Sequence, residues 1–257
     1  MGEHGTWIDF LGKFSWWNDL NHWAESKLGR TAGIDMFPSG FTLTHVVITF
    51  FVMLFIVWGA RAFSKDMRSE GKGVVPPRTM NLRNFFEVLA ESVFGMVEGA
   101  MGEKNAKRFF PLIGALWFFI FFNNLCALIP GLVAPTDTLK TNVGIALAVF
   151  FLTHYYGVKE HGLAYFKHFL GPTPALAPLM LPIELISHVA RPLSLAVRLM
   201  GNMMADHKVV MSFFALVPFL VPLPFLILGI LICLIQALVF STLATVYIGM
   251  AIEHEEH

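Results

Sequence analysis

Charge is what this sequence has least of. Only 14% of its 257 residues are Asp, Glu, Lys or Arg, while 56% are hydrophobic. Soluble domains average about a quarter charged, so a water-soluble globule is excluded and a polytopic membrane protein is expected. Neither sign of charge prevails, with 18 basic residues against 18 acidic ones, which excludes a nucleic-acid footprint. There are two cysteines, Cys126 and Cys233, far apart in apolar runs. That argues against a disulfide framework or thiolate metal site, and both read as small buried hydrophobes. No G-x-x-x-x-G-K-[ST] loop occurs, so ATP chemistry of that kind is not expected on this chain. HEEH at 254–257 is not H-E-x-x-H and lies in a polar tail, against a metalloprotease. No inverted repeat and no matching pair of Gly/Pro-broken segments is found, against a secondary transporter with a mid-membrane ion site. No basic region precedes a short apolar stretch at the start, so no cleaved signal peptide is expected. Neither is a cofactor or a metal.

What is present is helical periodicity. The expected fold class is all-α, a single membrane domain over 1–257 with about five crossing helices and one in-plane amphipathic helix. Residues 1–40 form an external segment in which Trp7, Phe10, Leu11, Phe14 and Trp17 recur at helical spacing, suiting a helix at the headgroup level. Phe41–Ala60 is the first span, with no Asp, Glu, Lys or Arg and one histidine, His45. Residues 61–110 then hold nine of the eighteen Lys and Arg. By the positive-inside rule the segment 61–108 is cytoplasmic, which puts the N-terminus outside and the C-terminus in the cytoplasm. Within it Leu82, Phe85, Phe86, Leu89, Val93, Met96 and Val97 make one apolar face, predicting an amphipathic helix in the membrane plane. Residues 109–158 hold the second and third spans, Phe109–Pro130 and Asn142–Val158, joined by an external loop. A cytoplasmic loop carrying Lys159 and Lys167 follows.

Residues 176–252 form a helix hairpin, turning near 219–224. Its first helix, of forty residues, would measure roughly 60 Å, twice a hydrocarbon core of about 30 Å. It must tilt strongly, bend at Pro182 or Pro192, or begin outside the core. Stepping about 100° per residue, Glu184, His188, Arg191, Arg198, Asn202 and Asp206 fall within one stripe about 80° wide. Ser187 and Ser194 flank it, and His207 points away. Six polar groups in register must look into protein or water, which favours an ion path over a structural network. Acidic groups stand at both ends and Arg198 between them. Arginine keeps its proton, so it blocks a cation attempting the whole path and attracts an anion beside it. Two separated half-paths fit this better than a continuous pore. On the last helix Gln236 and Tyr247 are the polar members, and Gly229 leaves room. The antiparallel register brings Gln236 roughly level with Arg198, and Gly229 level with Asp206 and His207.

P-L-S-L-A-V-R-L-M-G-N-M at 192–203 and I-Q-A-L-V-F-S-T-L-A-T-V-Y-I-G-M-A at 235–251 resemble subunit a of the F-type ATP synthase. N-N-L-x-x-L-I-P at 123–130 and P-T-x-x-x-x-x-N at 135–142 extend the resemblance over most of 41–252. It implies an ion-conducting stator without catalysis of its own, in an energy-coupling membrane such as a bacterial inner membrane. Its implied partners are a ring of c subunits, a b-subunit peripheral stalk and the rest of the complex. The essential arginine of the family matches Arg198, and the asparagine and glutamine match Asn202 and Gln236. The acidic residue of the cytoplasmic outlet matches Glu184. At the outer inlet this sequence departs from the family, with Asp206–His207 on one helix and Gly229 where relatives place an acid–base partner. The resemblance implies proton exchange with a ring carboxylate through two offset half-channels. Choice between protons and sodium rests with the ring.

Overall fold

The computed structural model describes residues 15–28, 43–69, 82–129, 132, 134–162, 165, 177–216 and 222–252. Trp7, Phe10, Leu11 and Phe14, most of the loop after 162, and the HEEH tail lie outside them. Every element among the described residues is helical: α1 (Ser15–Leu28), α2 (Leu43–Ser69), α3 (Leu82–Leu125), α4 (Leu139–His161), α5 (Ala177–Leu216) and α6 (Pro222–Ile252). Two short 3-10 turns, Cys126–Leu128 and Pro135–Asp137, link α3 to α4. Four stretches are long and apolar enough to cross a membrane: Thr44–Arg61, Asn84–Leu128, Leu139–His161 and Leu223–Ile252. α5 is long enough but carries Glu184, Arg191, Arg198, Asp206 and Lys208. Counted with α5, the crossings agree with the expected five.

α2 has two faces. Thr44 and His45 are buried, and Ile48, Val52 and Gly59 follow at spacings of three, four and seven. Phe50, Phe51, Met53, Leu54, Phe55, Val57 and Trp58 are exposed, an apolar surface suited to lipid. In α1, Trp16 and Trp23 are exposed and Trp17 is buried.

α3 gives the amphipathic helix of residues 82–101 a protein neighbour. Gly102, at φ 77 and ψ 160, breaks the helix, and the first arm runs back along the second. Phe94 meets Phe110 at 5.3 Å, and Phe86 meets Phe118 at 5.8 Å and Phe122 at 6.0 Å. Those pairs are centred on or near residue 102, the signature of an antiparallel hairpin. The reason is physical. An apolar helix face packs as well against protein as against acyl chains, and here aromatic rings of the second arm cover it. The backbone angles at 102 are almost a glycine preserve. No atom lies within 4 Å of where a Cβ would sit there, so a substitution acts through the backbone alone. Gly102→Val is expected to destabilise the protein by about 1–3 kcal/mol. A lowered melting temperature in detergent and less chain in the membrane would register it. An unchanged melting temperature would refute the hinge.

The core is built around α6, which α3, α4 and α5 all touch. Cys233, Ala237, Phe240, Ala244 and Ile248 are fully buried along one side of it. Trp117 stacks on Phe121 at 4.9 Å and is itself buried. Cys126 and Cys233 are free.

Candidate functional site

α5 and α6 form the expected hairpin. The Arg191 guanidinium lies over the Tyr247 ring at 5.2 Å. Asn202 Nδ2 donates to Gln236 Oε1 at 2.7 Å. Asp206 faces Gly229, and Phe213 stacks on Phe225 at 4.1 Å. All four pairs are centred close to residue 219. The register follows from helix geometry and the turn expected near 219–224, so it was close to readable from spacing alone. α5 runs as a single helix through Pro182 and Pro192. Along it, His188 and Asp206 are separated by about 27 Å, near the thickness of a hydrocarbon core.

The stripe does not present one uniform surface. At the turn end Asp206 is buried, 8% exposed. Its Oδ2 and His207 Nδ1 are both buried without a hydrogen-bond partner. A Cβ on Gly229 would stand 2.9 Å from Asp206 Oδ2 and 2.4 Å from Leu128 Cδ2, so the carboxyl occupies the space the glycine leaves. Midway, Arg198 and Asn202 are exposed. Among the described residues Arg198 has no hydrogen bond and no ion pair. Gln236, 3% exposed, is spent on Asn202 one turn away rather than on the guanidinium it was expected to face. At the open end Glu184, Ser187, His188 and Arg191 are half-buried. His188 Nδ1 lies 2.9 Å from the Glu184 carbonyl and 3.4 Å from its carboxylate. The weaker polar members of α6 stay out of the stripe: Ser241, Thr242 and Thr245 donate to carbonyls one turn back.

Sequence reasoning missed groups that come from other helices. His154 of α4 stacks on His188 at 5.4 Å, with 26° between the rings. Its Nδ1 is 2.8 Å from the Tyr165 hydroxyl. Burial pushes the Tyr165 phenol up from its ordinary value, and Arg191 pulls it the other way. Beyond the turn end of α3, Thr136 Oγ1 donates to Asn124 Oδ1 at 2.6 Å. Asn142 Nδ2 donates to the Thr136 carbonyl at 2.7 Å. That network explains why two separate sequence motifs carry Asn124, Thr136 and Asn142. Beside it, buried His45 pairs with Asp137 at 3.3 Å and ties α2 to this loop. The available signal was a lone histidine in each of two apolar spans, a rare choice that asks for a partner.

Four apolar helices, two of them packed against a charged one, define a multi-pass membrane protein, with ionisable groups ranged along a single helix. The sequence profile of the family described as ATP synthase A chain matches residues 36–249. The chain is 48% identical over 211 residues to ATP synthase subunit a 1 of Syntrophotalea carbinolica, covering 82% of this chain and 86% of the relative. It is 50% identical over 172 residues to ATP synthase subunit a of Geobacter sulfurreducens, covering 67% and 75%. With ATP synthase subunit a of Sorangium cellulosum it shares 42% over 212 residues, covering 82% and 83%. This chain belongs to the ATP synthase subunit a family.

Proposed function

We propose that this chain is the proton-conducting stator of a rotary F-type ATP synthase, working against a ring of c subunits and held by a b-subunit stalk. One observation carries the reading. Arg198 is exposed at mid-length on a helix packed among apolar spans, with no acidic partner among the described residues. A bare guanidinium in that setting costs roughly 2.5–3.5 kcal/mol or more. A carboxylate on another subunit would offset it. The surface around Arg198 suits a close helix. Ala190, Ser194, Gly201 and Ala205 are exposed there, and a Cβ on Gly201 would meet nothing within 4 Å. Its small size therefore serves something outside this chain, and small residues let helices approach closely.

In the mechanism, a proton from outside reaches Asp206 and His207 and neutralises a ring carboxylate, which then turns into lipid. After nearly a full rotation the site meets the half-path of Glu184 and His188. Arg198 draws the carboxylate form, promotes release and bars direct leakage. Each proton crossing supplies about 2.3 kcal/mol per 100 mV. The N-terminus is outside and the C-terminus in the cytoplasm, following the basic segment. ATP chemistry belongs to other chains of the complex.

Cross-linking tests the docking face. Gly201→Cys and Ser194→Cys are expected to cross-link to a cysteine on a ring helix. Phe151→Cys, exposed on α4, is not. Equal yields from both faces would refute the interface. A second expectation concerns Gly229. Gly229→Leu would drive a side chain into Leu128 and Asp206, displace the carboxyl and cut proton flux roughly tenfold or more. Gly229→Ala should do less, since the Leu128 methyl can turn aside. Normal flux in Gly229→Leu would show that the carboxyl position is immaterial.

A further inference from the structure

The route just described uses residues of α5, yet α5 does not close the path at its open end. His154 does, from α4. Its ring has Phe150 edge-on at 4.2 Å, His188 stacked at 5.4 Å, and the Tyr165 hydroxyl 2.8 Å from Nδ1. A cavity of about 30 Å³ lies here, lined by Thr153, His154, His188, Arg191 and Tyr247 among others. That volume admits one water, and the lining offers the polar partners such a water needs. The charged and titratable groups facing His154 are His188 and Arg191 from α5, Tyr247 from α6, and Tyr165, with Glu184 on His188 behind them. Glu160, on the same helix, is engaged by Arg108.

We propose that His154 is a proton-carrying residue of the half-path that begins at Glu184 and His188, taking the proton across the cavity and handing it to water at the end of α4. The proposal rests on the half-path reading above. With Nδ1–H donating to the Tyr165 oxygen, Nε2 is the basic nitrogen. A proton released by the ring site passes from Glu184 and His188 through a water in the cavity to Nε2. The imidazolium then gives that proton up to water on the loop side. One proton arrives and one leaves, and no other group changes. Two stacked imidazoles beside a guanidinium hold one excess proton far more readily than two, because like charges at this spacing repel. Arrival on one ring therefore favours departure from the other. Tyr165 is a positioning residue, keeping Nδ1 engaged so that Nε2 faces the proton.

The test uses the whole complex in vesicles, with ATP-driven proton pumping followed as a function of pH on the side of the α4 end. His154→Gln keeps a hydrogen-bonding side chain but cannot carry a proton; His154→Ala leaves space. Both are expected to slow pumping roughly tenfold or more, the scale of a lost proton-transfer group, and to flatten the pH profile. Added imidazole should restore His154→Ala, which repair of a packing defect would not do. Wild-type rate and profile in His154→Gln would overturn the proposal. A loss that imidazole leaves unchanged in His154→Ala would also overturn it, assigning His154 to packing. Arg198→Ala, measured alongside, separates the two readings. Coupled pumping that survives Arg198→Ala overturns the half-paths themselves. Pumping lost in Arg198→Ala but normal in His154→Gln overturns only the role of His154.

Discussion

Arg198→Ala is expected to abolish proton-driven ATP synthesis while the complex still assembles. The second half of that statement follows from exposure. The side chain makes no hydrogen bond within the described residues and is not part of the core, so its removal leaves no unpaired buried group behind. Truncating it removes a costly exposed charge rather than a packing or hydrogen-bond contact, so folding and assembly are not expected to suffer. The first half follows from charge. The guanidinium is a fixed positive charge between two acidic ends, and Arg191, two turns away, is held over Tyr247. Removing one preorganised charge from a site of this kind costs roughly 10²–10³-fold in rate. On the proposed reading, passive proton leak through the complex should also rise in the same variant, because Arg198 would no longer separate the two half-paths. Arg198→Lys keeps the charge but loses the planar fork, so it should retain little synthesis. Arg191 is the control. It is half-buried over Tyr247, and Arg191→Ala should be much milder, with loss of the cation–π contact of about 0.5–2 kcal/mol. Synthesis near the wild-type level in Arg198→Ala would remove the central claim. Equal damage from both would mean that the two guanidiniums act together.

The second large effect is expected at the turn end. Asp206 and His207 are neighbours in sequence but lie about 100° apart around the helix. Both carry a buried polar atom without a partner. Buried polar atoms are usually hydrogen-bonded, so two orphans side by side ask for an explanation. Proton exchange with water from outside supplies one. An imidazole and a carboxylate can each take up and release a proton, and the proposed route puts Asp206 after His207. Proton flux in reconstituted vesicles should fall strongly in at least one of Asp206→Asn and His207→Ala. The double variant should lose less than the two single losses combined, because groups in one relay are not additive. Wild-type flux in the double variant would leave the pair as a polar end to the helix and nothing more.

Much of this arrangement was legible before any coordinates. The stripe from Glu184 to Asp206 is an angular fact of a 3.6-residue helix. The pairing of Asp206 with Gly229 needs only a turn near 219 and equal rise on both sides. What periodicity could not reveal was which part of the stripe is covered. Asp206 is buried and Arg198 is exposed although both lie within the same stripe, because α6 and Leu128 pack over one end and leave the middle open. Likewise Gln236 was placed level with Arg198, but its amide is taken by Asn202. A register of one turn is all that separates the two, and side-chain reach decides it.

The chain alone determined which segments are apolar helices, the alignment of charges along α5 and, to within a turn, the hairpin register, since each depends on neighbours within a few turns. Tertiary structure decided the rest. An apolar face on residues 82–101 is satisfied equally by lipid or by protein, and only the fold back at Gly102 chose protein. His154 and His188 are 34 positions apart, as are Asn202 and Gln236. The first pair required α4 to lie against α5, and no local rule predicts that. The same holds for His45 and Asp137, which meet only because α2 packs beside the loop that follows α3. Helices in a membrane bury their backbone polarity one at a time, so each can be read by itself. Which of them stand side by side is set by the fit of side chains between helices, and that fit is where polar groups of different helices are brought together.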